Sequence, residues 1–228
     1  MKKLTVFLFI AALFLSVAGN VGATFIGSIS SSAGGGMYAT GPWDAEGTVL
    51  GWEVNYDDSN AYWTYGYTFT ADANPDPSHV ILEVSNTFRS DNIKPGTTAA
   101  YELGTYNSSQ GGSNPGIPGN LYGVKWEELG DVLTWNWTIV TDRAPMWGDF
   151  YAKGGDNTYA YNTNFGTDPA YPNDVNYEIY ADSDYVGWVV VPDTQTAPVP
   201  EPATLLLLGT GLIGLAGIGR KKLIRIKR

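Results

Sequence analysis

The sequence predicts an all-β fold: an antiparallel β-sandwich or jelly-roll-like domain, preceded by a signal peptide and followed by a single transmembrane helix. Three observations predict it. Val, Ile, Thr, Tyr and Trp recur in short runs that alternate with period two rather than at helical spacing. Asp-, Asn-, Gly- and Pro-rich turn chemistry separates those runs. Two longer apolar segments stand only at the ends of the 228-residue chain, each flanked by basic residues.

The alternation places strands at Thr48–Tyr56, Tyr62–Ala71, His79–Phe88, Leu121–Leu129, Val132–Thr141, Asp149–Ala152, Tyr177–Tyr180 and Val186–Val191. Asp57-Asp58-Ser59-Asn60, Asp72-Ala73-Asn74-Pro75 and Gly154-Gly155-Asp156-Asn157 form turns between them. Ser28 to Thr40, with its serine and glycine triplets, reads as a flexible lead-in, and Asn107 to Asn120 as a loop. The strands and loops together make one domain, residues 24–193. A length of about 170 residues suffices for one core without cross-links. With no cysteine in the chain, disulfides, thiol nucleophiles and thiolate metal sites are excluded.

The ends carry different information. Lys2 and Lys3, the apolar run Leu4 to Val17 and the small residues Val21-Gly22-Ala23 have the form of a secretory signal peptide cleaved after Ala23, so residues 1–23 are removed on export. At the other end, residues 194–202 form a proline-rich linker. Residues 203–219 follow as an apolar segment spanning roughly 26 Å as a helix at 1.5 Å per residue, and residues 220–228 as a basic tail that stays cytoplasmic. Glycines at 209, 211, 214, 217 and 219 weaken that helix, which suits a temporary hold better than a permanent anchor.

Pro200-Glu201-Pro202, the leucine- and glycine-rich span and the arginine-led basic cluster, in that order, resemble the PEP-CTERM sorting domain of Gram-negative bacteria. The resemblance covers about the last thirty residues. It implies that Pro200, Glu201 and Pro202 are recognised by an exosortase, after signal peptidase has acted at the other end, and that the membrane holds the chain transiently. It further implies association with exopolysaccharide and biofilm matrix at the cell surface. The internal run Trp147-Gly148-Asp149-Phe150-Tyr151-Ala152-Lys153-Gly154-Gly155 is similar to a stretch of other PEP-CTERM ectodomains, without implying an activity. Lys153 there is expected to pair with a carboxylate.

Within residues 24–193 five basic side chains (Arg89, Lys94, Lys125, Arg143 and Lys153) face 22 acidic ones, a net of −17. Such a surface repels phosphate backbones and excludes nucleic acid as a partner. The acid excess leaves calcium as an open alternative, although no cofactor is assigned. Asp72-Ala73-Asn74-Pro75-Asp76 with Glu83 matches a calcium loop only in part, because Pro77 stands where the loop needs glycine. A plain turn is the better reading.

For function, the sequence points to a non-enzymatic surface or matrix protein that binds glycan through aromatic side chains. Trp135 and Trp137, two residues apart, share one strand face, and Trp63 and Tyr65 share one face of another. These four are the expected glycan contacts if exposed, and core residues otherwise. The opposing class is a jelly-roll hydrolase or lyase with a carboxylate pair drawn from Glu53, Glu83, Glu102, Glu127, Glu128 or Glu178. No spacing singles out a pair. His79 lies near Ser78 and Ser85 without a nucleophile elbow, which favours a structural histidine.

Overall fold

The computed structural model describes residues 24–109, 113–127, 130–155, 157–167 and 186–196. The expected signal peptide of residues 1–23, the expected strand Tyr177–Tyr180, the motif Pro200-Glu201-Pro202, the apolar segment 203–219 and the basic tail lie outside the described residues. The description therefore concerns the first of the chain's two units, Met1–Ala197, and not the second, Pro198–Arg228.

Twelve strands are described: β1 (Thr24–Ser30), β2 (Met37–Ala39), β3 (Val49–Asp57), β4 (Tyr62–Thr70), β5 (Pro77–Glu83), β6 (Tyr101–Tyr106), β7 (Leu121–Glu127), β8 (Thr134–Thr141), β9 (Arg143–Gly148), β10 (Phe150–Gly154), β11 (Tyr159–Asn162) and β12 (Val189–Thr196). They form a four-stranded sheet in the order β1-β3-β4-β8, a six-stranded sheet in the order β2-β11-β10-β5-β7-β6, and a ribbon of β12 with β9. All of these strand pairings are antiparallel, as the fold class requires.

Period-two alternation drives the packing. On β4, Trp63, Tyr65, Tyr67 and Phe69 turn inward while Thr64, Gly66, Thr68 and Thr70 turn outward. On β8, Trp135, Trp137 and Ile139 join them from the neighbouring strand. The six-stranded sheet answers with Val80, Leu82, Val124, Trp126, Phe150 and Ala152. Rings interlock across the gap, with Phe69 6.3 Å from Phe150 and Trp137 6.0 Å from Trp126. The ribbon is part of the same core, because Val189, Val190 and Val191 are buried in it. Its backbone also receives hydroxyls of the four-stranded sheet: Tyr65 donates to the Arg143 carbonyl and Tyr67 to that of Val190, both at 2.8 Å.

The segment read as a flexible lead-in is ordered differently. Thr24–Ser30 pairs with β3 along its whole length and Met37–Ala39 pairs with β11, leaving only a tight glycine turn between them. Phe25 and Ile29 enter the core, while Gly27 lies against the Trp52 ring, where a β-carbon would come within 2.5 Å. Strands β6, β9 and β11 also lack an expectation in the sequence. β11 has four residues, and Pro145 interrupts β9, which is tolerated because β9 pairs only with β12. At the other boundary β12 continues to Thr196, so the fold takes in the first residues assigned to the linker.

Asn107 to Asn120 contains no strand among its described residues, as expected of a loop, yet it has a packing role. Ile117 joins Ile81, Tyr106, Leu121 and Tyr151 in a second core on the outer face of the six-stranded sheet.

Candidate functional site

The four aromatics expected to meet glycan do not reach the surface. Trp63 is 3% exposed, Tyr65 0%, Trp135 1% and Trp137 2%. The alternation was read correctly, but the aromatic face of β4 and β8 turns toward the six-stranded sheet, and the threonine and glycine face turns toward water. Burying a row of aromatics removes far more apolar area from water than burying threonines would. Their polar atoms are used inside: Trp135 Nε1 donates to the Gly130 carbonyl at 2.9 Å. Trp63 and Trp137 bury indole N–H groups without an oxygen partner among the described residues. Both sit among rings, Tyr56 at 4.7 Å from Trp63 and Tyr67 at 5.5 Å from Trp137.

A different aromatic group stands at the surface. On the outer face of the six-stranded sheet, Tyr38 of β2 lies directly opposite Tyr161 of β11, and Tyr161 opposite Tyr151 of β10. Tyr159, two residues before Tyr161, shares that face. Ring centroids of Tyr38 and Tyr161 are 4.9 Å apart, and those of Tyr159 and Tyr161 6.3 Å with planes within 10°. Phe165 abuts Tyr161 edge-on at 6.0 Å. Tyr38 is 44% exposed, Tyr159, Tyr161 and Phe165 are half-buried, and Tyr151 is buried with its hydroxyl on the Pro115 carbonyl at 2.7 Å. Burial, with the neighbouring Tyr38 and Tyr159, raises the Tyr161 phenol above its ordinary value.

The loop carrying Asn114 and Gly116 borders this platform. Gly116 has φ +69°, a left-handed conformation that glycine adopts freely, and a β-carbon there would overlap the tip of the Tyr159 ring. Asn114 accepts from His79 Nε2 at 3.0 Å, and its amide nitrogen donates to the Asn107 carbonyl, which orients the oxygen toward the histidine. His79 is 5% exposed, and burial first, then Lys125 and Lys153, push its pKa down to about 4. Ser78 Oγ is 3.5 Å from His79 Nδ1 but donates to the Lys153 carbonyl at 3.0 Å, so its proton is committed elsewhere. In this geometry the Ser78 hydroxyl does not donate to His79.

Of the candidate carboxylates, Glu102 lies opposite Lys125 across β6 and β7 and so shares the outer face of the six-stranded sheet with Glu127. Glu127 is bonded to Lys125, which holds its carboxyl below the ordinary range, the opposite of what a general acid needs. Glu83 accepts the Asp149 backbone N–H at 2.8 Å, and Glu53 accepts from Asn55 on the outer face of the other sheet. Glu128 and Glu178 lie outside the described residues. Among the described residues no three His, Asp or Glu side chains converge as a metal site, and Asp72 to Asp76 is a turn whose Asp72 N–H bonds Thr48 Oγ1.

The Trp147 to Gly155 run owes its distinctiveness to packing. Gly148 admits Val191 and Glu83, Gly154 admits the Trp43 ring, and Asp149 enters a buried polar network. Lys153 differs from expectation: the ion pairs among the described residues are Lys94 with Asp142, Lys125 with Glu127 and Arg143 with Asp142. Lys153 instead lies opposite Tyr159 and His79 on the platform face.

Beyond the last strand, residues 198–221 match the model of the PEP-CTERM protein-sorting motif. The chain carries an exosortase sorting signal. The match includes Pro200, Glu201 and Pro202 and the whole apolar segment 203–219. A PEP-CTERM motif implies processing by an exosortase and export to the cell surface or the extracellular space. No curated protein and no solved structure matches the chain. Among the described residues no helix is long and apolar enough to cross a membrane, and the apolar segment of the motif lies outside them.

Proposed function

We propose that this PEP-CTERM chain is a non-enzymatic component of the cell surface or extracellular matrix that associates with exopolysaccharide. In this reading residues 1–23 direct export, residues 203–219 hold the chain in the inner membrane until an exosortase acts at Pro200-Glu201-Pro202, and the sandwich is the delivered cargo. The observation that carries it is the junction: β12 ends at Thr196 and the sorting motif begins at residue 198, so the signal is joined directly to a finished fold.

A committed Ser78 proton and a lysine-paired Glu127 support binding rather than cleavage. The acidic surface keeps the product soluble and away from other polyanions.

Two experiments test the reading. Replacing Pro200-Glu201-Pro202 with alanines is expected to leave full-length chain in the membrane fraction, and normal processing of that variant would refute the sorting step. Incubation of the purified protein with host exopolysaccharide is expected to give retention without release of oligosaccharide. Released oligosaccharide would make it an enzyme, and no retention would leave a structural protein without glycan affinity.

A further inference from the structure

We infer that the tyrosine platform of Tyr38, Tyr159 and Tyr161, walled by Phe165 and the loop at Gly116, is a binding surface for the sugar rings of a neutral polysaccharide. The inference deepens the proposed association with exopolysaccharide by assigning it a site, and rests on that reading.

Three features select this ligand chemistry. The platform presents an aromatic ring to water: among the described residues the exposed large hydrophobics are Tyr38 and the aliphatic Ile26, Val132 and Val186, and the half-buried Tyr159 and Tyr161 lie beside Tyr38. Tyr159, Tyr161 and Phe165 pack against the second core, which fixes the platform in place, and Tyr38 beside Tyr161 is the most exposed of its rings. The near-parallel Tyr159 and Tyr161 rings, with Tyr38 4.9 Å from Tyr161, offer adjoining apolar faces edged by hydroxyls. A pyranose ring has the complementary character, C–H groups on its faces and hydroxyls around its rim. Charge then narrows the class: with a domain net of −17, long polyanions are repelled while a neutral chain is not. A single Lys153 opposite Tyr159 does not reverse that field.

A second copy of the chain is the competing occupant. β2 is an edge strand of only three residues, and so short an edge gives a partner strand few backbone groups to pair with. That favours a ligand recognised by ring faces over one recognised by strand addition.

The test uses the purified full-length chain in affinity gel electrophoresis, with hydroxyethyl cellulose and glucomannan as neutral probes, alginate as an anionic probe, and host exopolysaccharide in a parallel retention assay. A neutral probe is expected to retard the protein more than alginate does. Tyr38→Ala and Tyr161→Ala should each weaken that retention about tenfold, while Tyr38→Phe and Tyr161→Phe keep most of it. Tyr38 is partly exposed, so the Tyr38→Ala melting temperature should match the parent and separate lost binding from lost fold. Retention on host exopolysaccharide that both alanine variants keep would overturn the site while leaving the proposed function standing. Absence of retention on every polysaccharide would overturn both. A dimer in sedimentation that Tyr38→Ala dissolves would assign the face to self-association and overturn the glycan site.

Discussion

Asn162 Nδ2 donates to Asp149 Oδ1 at 2.8 Å, and this buried pair ties β11 to the corner where β9 passes into β10. Each partner is fully engaged. Asp149 Oδ2 accepts the Gly166 N–H at 2.7 Å, and Asn162 accepts the Phe150 N–H while also donating to the Gly187 carbonyl, both at 2.9 Å. One carboxylate and one amide thus fasten three segments, 149–150, 162–166 and the residues at Gly187.

Removing either member leaves the other buried and short of partners, which costs more than the bond's net worth. Asn162→Ala and Asp149→Ala are each expected to destabilise by about 2 to 4 kcal/mol, read as a lower urea midpoint. Asn164→Ala, which removes an exposed bond to the Val186 carbonyl, should cost less than about 1 kcal/mol. Equal effects at the two asparagines would refute the network's role.

Gly148 tests packing in the same corner. A β-carbon there would come 2.5 Å from Val191 Cγ2 and 2.8 Å from Glu83 Oε2. Gly148→Ala should therefore lower stability by about 1 to 3 kcal/mol through overpacking, seen as a drop in Tm. Pairing it with Val191→Ala should recover part of the loss, because the added methyl then has room.

His79 gives the fold an acid-sensitive element. Its folded pKa of about 4 lies below its ordinary 6.5, so as pH falls through that window the unfolded chain takes up a proton that the native chain refuses. Its effect on stability is neutral above pH 6.5 and increasingly unfavourable down to about pH 4. Comparing pH 7 with pH 4.5, His79→Gln should lose less stability than the parent by on the order of 2 to 3 kcal/mol. Urea unfolding of both proteins at the two pH values checks this, and parallel losses would refute it.

The inward tryptophans predict a core phenotype. Trp135→Ala should cost about 3 to 5 kcal/mol. Trp135→Phe should cost less than Trp135→Ala, since it keeps most of the ring and loses the bond to the Gly130 carbonyl. Polysaccharide retention measured below the Tm should be unchanged in Trp135→Phe, the reverse of the pattern expected at Tyr38.

Much of the sandwich was legible because β3, β4, β5, β7 and β8 are long enough to display two or more alternations. β1, β2 and β11 were not. Serine and glycine dominate the turn from Ser31 to Gly36 and mask Phe25 and Ile29 on one side and Met37 on the other. The tyrosine platform left a local trace in Tyr159-Ala160-Tyr161, a period-two aromatic pair like Trp135-Asn136-Trp137, but nothing local separates an outward pair from an inward one.

The sequence by itself determined the address of this protein and its β character. Sorting signals are contiguous strings read by processing enzymes, and strand periodicity is a property of neighbouring residues. Only the tertiary structure decided which aromatics face water. Alternation divides each strand into two faces, but which one is buried depends on the sheet that packs against it. Tyr38 and Tyr161 lie 123 positions apart in the chain, and only the pairing of β2 with β11 makes them neighbours.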